Sequence, residues 1–326
     1  YFKADYLNAF GAWEKSLRNY TILGNQKGIS NLKSNIGAVF EKQGNSEKAL
    51  GYFLDALSVA KEIGDYEREG TVLINIANIY DNNKNTYDKA ILFYNEALEN
   101  GLSYEADDVV GLALVGLGAT YFDKAEYDSA IYYLNIAIES YEDPLNQSFG
   151  YNYLGKSYSE LGDFDKAIVF HEEAIRLARE NDAKAELTQG LLGLAVTSRK
   201  AKNFERAIVV LHEALGVATG TNAKEELRDI YQELAESYEM VSDYGNAYLY
   251  QVLFSNVKDS IYLQSNQNRI DLMQFSFDLD QLNMEIDNLE KDAQIQEQEA
   301  KTQRIISLSV IGIIIIVLIG LYARFQ

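Results

Sequence analysis

The sequence predicts an all-α chain: a superhelical solenoid of stacked helix pairs, then a coiled-coil helix, then one transmembrane helix. Three observations predict it. The 326 residues contain a single proline, Pro144, and helix interiors exclude proline. A pattern of two alanines seven residues apart returns about every 40 residues, the mark of a repeat architecture. A run near the end, Ile305 to Tyr322, carries no charged side chain.

The alanine pattern is read in "EKALGYFLDA", "DKAILFYNEA", "DSAIYYLNIA", "DKAIVFHEEA" and "ERAIVVLHEA", beginning at Ala49, Ala90, Ala130, Ala167 and Ala207. Weaker copies hold Ala9 and Ala247. Ahead of each lies a second segment: "NIGAVF", "NIANIY", "GLGATY", "YLGKSY", "GLAVTS" and "ELAESY". A small residue sits inside it (Gly37, Ala77, Gly118, Gly155, Ala195, Ala235). An aromatic usually follows three residues on (Phe40, Tyr80, Tyr121, Tyr158, Tyr238). Both segments place apolar residues at i, i+3, i+4 and i+7, so both are amphipathic helices. Turn clusters such as "KQGNSE", "DNNKNTYD" and "ELGDFD" separate them. Each unit is therefore a helix A and a helix B. The small residues let the two helices approach, and the aromatics are expected to fill gaps between neighbouring units.

This unit resembles the tetratricopeptide repeat, whose signature is Leu-Gly-x-x-Tyr on helix A and Ala…Phe…Ala on helix B. The stretch "YLGKSYSELGDFDKAIVFHEEA", Tyr153 to Ala174, carries the resemblance. Six helix pairs are expected over residues 30–260. Residues 1–29 read as a partial repeat with helix B only, which leaves Trp13 on an unstacked side and points to missing residues upstream. Long-repeat members of the family include peptide receptors and scaffold proteins.

From about Ile261 the repeat stops. Leu272, Phe275, Leu279, Leu282, Ile286 and Leu289 recur at alternating steps of three and four, a heptad seam that continues through Ala293. Residues 261–304 are expected to form a dimeric coiled coil, firm at its start and looser where the seam turns small and polar. Residues 305–322, at about 1.5 Å per residue, just span a bilayer core. Lys301 and Arg304 before the run and Arg324 after it are too few to set orientation. "KDSIY", Lys258 to Tyr262, resembles the junction motif of bacterial membrane receptors that carry tetratricopeptide repeats outside the cell membrane. That resemblance implies a homodimer in the bacterial inner membrane, single-pass, with the repeats extracytoplasmic. It also implies that residues 323–326 open a cytoplasmic part leading to an output domain, most often a histidine kinase. A nucleotide cyclase output and a tethered scaffold without output are the alternatives.

Composition closes other routes. The net charge of −20 repels nucleic acid and anionic lipid headgroups. The chain has no cysteine, so disulfides, thiolate metal sites and cysteine nucleophiles are excluded. No phosphate-binding loop occurs, and the glycines of "GLALVGLG" fall on a repeat helix. The two histidines, His171 and His212, each lie in a helix B without partners at metal or catalytic spacing; His171 takes the place of a packing aromatic. No catalytic residue, metal or cofactor is expected. Binding remains. Counting along the repeat places Asn31, Ser34, Asn78, Asn152, Lys156, Arg199, Lys200, Gln232 and Glu236 on a helix A face that takes a peptide or protein ligand. There the amides would bond its backbone, and Lys156, Arg199 and Lys200 would meet a carboxylate.

Overall fold

The computed structural model describes residues 12–13, 15–140, 143–221 and 223–325. Within the last helix the side chains of residues 268, 271–272, 275–276, 278–280, 282–283, 285–290, 292–294, 297, 310, 313–318 and 321–325 lie outside that description. All regular structure among the described residues is helical. The chain divides into a repeat unit ending at Arg269 and a second unit from Ile270 onward.

The helices of the repeat unit are α1 (Gln26–Lys42), α2 (Ser46–Ile63), α3 (Tyr66–Asp81), α4 (Tyr87–Tyr104), α5 (Asp107–Asp123), α6 (Tyr127–Ser140), α7 (Pro144–Glu160), α8 (Phe164–Glu180), α9 (Lys184–Lys200), α10 (Phe204–Thr221) and α11 (Lys224–Met240). The helix α12 (Tyr244–Phe325) begins in this unit. Pro144 occupies the first turn of α7, where its missing N–H has no partner to lose, and Asp143 caps that turn by accepting from the amides of Leu145 and Asn146. Asn45, Asp163 and Asn203 cap the second helices in the same way.

Consecutive helices pack in pairs, α1 on α2 through α9 on α10. Their sense is antiparallel: Phe40 stacks on Tyr52, Gly37 meets Phe53, and the Ser30 hydroxyl donates to the Ala56 carbonyl. The chain reverses over three residues, the second of which is left-handed in Gly44, Ala125, Gly162, Lys202 and Ser242. Where that residue is not glycine the conformation costs about 1 kcal/mol. Each first helix also touches the first helix of the next pair.

The small residues act as the sequence requires. A Cβ at Gly37 would lie 2.8 Å from the Phe53 ring, and one at Gly118 2.4 Å from Leu134 Cγ. Both partners are completely buried. The aromatics do something different from the expectation. Phe40–Tyr52, Tyr80–Phe93, Tyr121–Tyr133, Tyr158–Phe170 and Tyr238–Tyr250 stack within a pair, with centroids 5.3 to 5.6 Å apart, and Tyr238 also meets His212 of the preceding pair edge-on at 6.2 Å. The reason is register: the aromatic lies one turn beyond the small residue and so faces its own partner helix. In the fifth pair Ser198 and Val210 hold these positions, and no ring stack is possible.

Ahead of α1, residues 15–22 are helical, and the Tyr20 ring closes on Gly28. The remainder of the expected partial repeat, residues 1–11 and 14, lies outside the described residues. In the second unit α12 continues as helix, with Ile270, Met273, Phe277 and Met284 exposed. The expected seam residues Leu272, Phe275, Leu279, Leu282, Ile286, Leu289 and Ala293 have side chains outside the described set. So do half or so of those in the uncharged run 305–322. Among the described residues no helix is long and apolar enough to cross a membrane.

Candidate interaction face

Within each pair the inward-facing small residue fixes the rotation of the first helix. Four positions then point away from the second helix: six and two residues before the small residue, and one and five after it. In the fourth pair these are Phe149, Tyr153, Lys156 and Glu160. Phe149 lies 4.6 Å from Tyr153, and Phe122 meets Tyr153 edge-on at 5.5 Å. Phe149 is exposed. The Lys156 ammonium stands 4.6 Å over the Tyr153 ring, a favourable cation–π placement. Among the described residues no carboxylate lies within ion-pair distance of it. Burial holds this ammonium below the usual lysine range, and the charges of Asp123 and Asp229 offset only part of that effect.

Acidic groups surround the shelf. Asp81 accepts from Thr120 Oγ1 at 2.7 Å. Burial raises its carboxyl, and that hydrogen bond lowers it again in part. Burial and then the Asp81 charge raise Asp123, with Lys156 opposing. Burial and the nearby carboxylates push the phenols of Tyr94 and Tyr153 well above the usual range. Tyr94 Oη donates to Asn78 Oδ1 at 2.5 Å.

The residues expected on this face divide into four groups. Asn78, Lys156, Gln232 and Glu236 are on it. Asn31 is half-buried, with Oδ1 enclosed and unpartnered. Ser34 and Asn152 are not on it: each is 4 % exposed. They stand three residues before the small residue, a position that each following first helix covers. Gln232 stands at the same position in α11 and is exposed, because no such helix follows there. Arg199 and Lys200 are present but engaged. Arg199 Nε donates to Glu233 Oε2 at 2.7 Å and its Nη2 pairs with Glu236 at 3.2 Å, while Lys200 pairs with Glu160 at 2.6 Å. Of the three cations expected to meet a carboxylate, Lys156 alone is unpaired.

His171 is a packing residue, whereas His212 is exposed on α10. His171 is completely buried between Gly155 and Gly193, whose Cβ positions would lie 2.7 and 2.4 Å from its ring. Its Nδ1 bonds Asn152 Oδ1 at 2.9 Å. Burial, and then the Lys156 charge, lower its pKa to about 3. His212 Nε2 bonds Tyr238 Oη at 2.9 Å. Among the described residues no cluster of three metal-ligating side chains occurs. Sequence reasoning missed the shelf of Phe122, Phe149 and Tyr153. Its trace was the i, i+4 spacing of Phe149 and Tyr153, on the same face as Lys156.

Stacked antiparallel helix pairs of this length, lined by first helices, define a helical-repeat interaction fold. The family comparison names it: residues 28–103 and 109–180 match the tetratricopeptide repeat model, and the chain carries a tetratricopeptide repeat domain. No curated protein matches the sequence. Among solved structures, BtubC (BKLC) from P. vanneervenii is 22 % identical with a TM-score of 0.57, covering 65 % of this chain and 90 % of that one. Aspartyl phosphate phosphatase F from Bacillus subtilis is 16 % identical with a TM-score of 0.63, covering 78 % and 66 %. The apo form of the quorum sensor NprR from B. thuringiensis is 17 % identical with a TM-score of 0.53, covering 79 % and 87 %. At these identities the likeness is one of fold.

Proposed function

We propose that the first-helix face binds a peptide or protein segment, and that Lys156 anchors an anionic group beside an apolar or aromatic one. The observation that carries this is a half-buried ammonium with no carboxylate partner, set on the Tyr153 ring next to exposed Phe149. A carboxylate arriving there gains a charge-assisted hydrogen bond in a partly desolvated place. The test is a peptide-display selection against the full chain, using peptides with free C-termini. Selected binders are expected to lose about tenfold in affinity on Lys156→Met. They are expected to keep it on Leu92→Gln, which alters an exposed residue of α4. Binders indifferent to both Lys156→Met and Phe149→Ala would overturn the reading.

We further propose that the chain is the sensory region of a dimeric single-span receptor of the bacterial inner membrane, with residues 261–304 as the coil and 305–322 as the span. On this reading the repeats are extracytoplasmic, and a cytoplasmic output domain, most often a histidine kinase, responds to binding. What favours it is the order of the sequence: a repeat domain, a heptad stretch, then a run of 18 uncharged residues on one helix. The chain has no cysteine, so single cysteines can be placed at Leu279, Ile286 and Ala293. Expressed in bacterial membranes, each is expected to form a disulfide with its copy. Absence of crosslinks at all three sinks the coil, and recovery of the protein in the soluble fraction sinks the span.

A further inference from the structure

A second feature lies away from the Lys156 shelf, at the turns that lead into α3 and α5. There a cleft of about 1040 Å³ opens between residues 63–71 and 104–112, with Lys27 at its edge. Its centre is two tyrosines. Tyr66 and Tyr104 stack almost parallel, with centroids 3.5 Å apart, and are 41 % and 49 % exposed. Around them stand Asp65, Glu67, Glu105, Asp107 and Asp108. Helix N-termini account for four of these carboxylates, since Asp65 and Glu67 open α3 and Asp107 and Asp108 open α5. They do not account for two large aromatic rings left half in water. At the corresponding start of the later first helices stand Pro144, Lys184 and Lys224, so the ring pair is particular to this place in the repeat.

The wall of the cleft also holds an enclosed carboxylate oxygen. Asp65 Oδ2 is enclosed and ion-paired to Lys27 Nζ at 3.3 Å, with no hydrogen bond to it among the described residues. Lys27 is the cleft's single cation, against five carboxylates. A ligand suited to it brings positive charge, several N–H donors, and a flat face that lies on a tyrosine ring. The guanidinium of arginine has all three.

We infer that this cleft is a docking site for a basic peptide segment, with an arginine side chain stacked on the Tyr66–Tyr104 pair and held by the surrounding carboxylates. The inference is independent of the Lys156 reading, because the two sites ask for ligands of opposite charge. The probe is the tripeptide amide acetyl-Arg-Gly-Arg-NH₂, compared with its citrulline analogue, which keeps the shape and loses the charge. Titrations use the full chain in about 0.15 M salt, where long-range attraction to the acidic chain is screened beyond about 8 Å.

The arginine peptide is expected to shift amide signals of residues 63–71 and 104–112 and to bind at least tenfold more tightly than the citrulline peptide. Tyr104→Leu should weaken binding about fivefold, and Glu67→Gln with Asp108→Asn about tenfold. Asp128→Asn with Glu139→Gln removes the same charge elsewhere and should leave binding unchanged. Equal binding of the citrulline peptide would overturn the inference. So would an effect of the distant pair matching that of Glu67→Gln with Asp108→Asn, or shifts that leave both segments untouched.

Discussion

Phe53→Ala destabilises the first helix pair by roughly 3–5 kcal/mol, the range for emptying a fully buried phenylalanine site. Phe53 is completely buried, and its ring fills the space where Gly37 lacks a side chain. The loss is local, because in a stacked-repeat protein each pair contacts only its neighbours. Amide exchange in α1 and α2 therefore accelerates, while α9 and α10 keep their protection. The partner change sharpens the result. Gly37→Ala alone pushes a methyl into the ring and is expected to lose about 1–3 kcal/mol. In the Phe53→Ala background the ring is gone, and the same methyl fills part of the hole. The double mutant is then more stable than Phe53→Ala alone. Additive losses would show that the two residues do not share one space.

The second large effect depends on pH. His171 is held neutral down to about pH 3 in the folded chain, against 6.5 for a free histidine. Between those values the unfolded chain binds a proton that the folded chain refuses. Stability therefore falls as pH drops from about 6.5, and by pH 4.5 the loss is on the order of 2–3 kcal/mol. Glu41, Asp81 and Asp123 act in the opposite sense. Burial raises their carboxyls, so the folded form accepts their protons more readily and regains some stability in acid. The histidine contribution is isolated by comparing the chain with His171→Leu, since leucine occupies the matching position at Leu134 and Leu211. The variant should melt with a shallower drop between pH 7 and pH 4.5. Equal slopes would mean that the buried imidazole does not set the acid response.

The order of helices was legible because each one announces itself. Ala49, Ala90, Ala130, Ala167 and Ala207 fix the second helices, and turn clusters such as "KQGNSE" and "ELGDFD" separate them from the first. The interaction face was legible in part. A residue one position after the small one, such as Asn78 or Lys156, points away from its own second helix. A residue three before it, such as Ser34 or Asn152, is closed off by the next first helix, and a pattern read within one repeat does not contain that neighbour. The engagement of Arg199 and Lys200 was hidden for the same reason. Their partners Glu233 and Glu160 stand about one repeat away in sequence and come together only when the pairs stack. The ring pairs were visible as residues, but their partners were assigned to the wrong interface. The Tyr66–Tyr104 stack gave no periodic signal, because neither residue belongs to the repeat.

The unpaired ammonium at Lys156 sits inside a chain whose formal charge is −20. The two act over different distances on the anionic ligand proposed above. Far from the surface such a ligand meets the net negative field and is slowed; within contact range it meets Lys156 and is held. Added salt shortens the reach of the first force more than that of the second, because the pair at contact is partly buried. Capture then quickens as ionic strength rises, the reverse of ordinary electrostatic steering. A face of this kind favours ligands that arrive in abundance over ligands that are merely attracted.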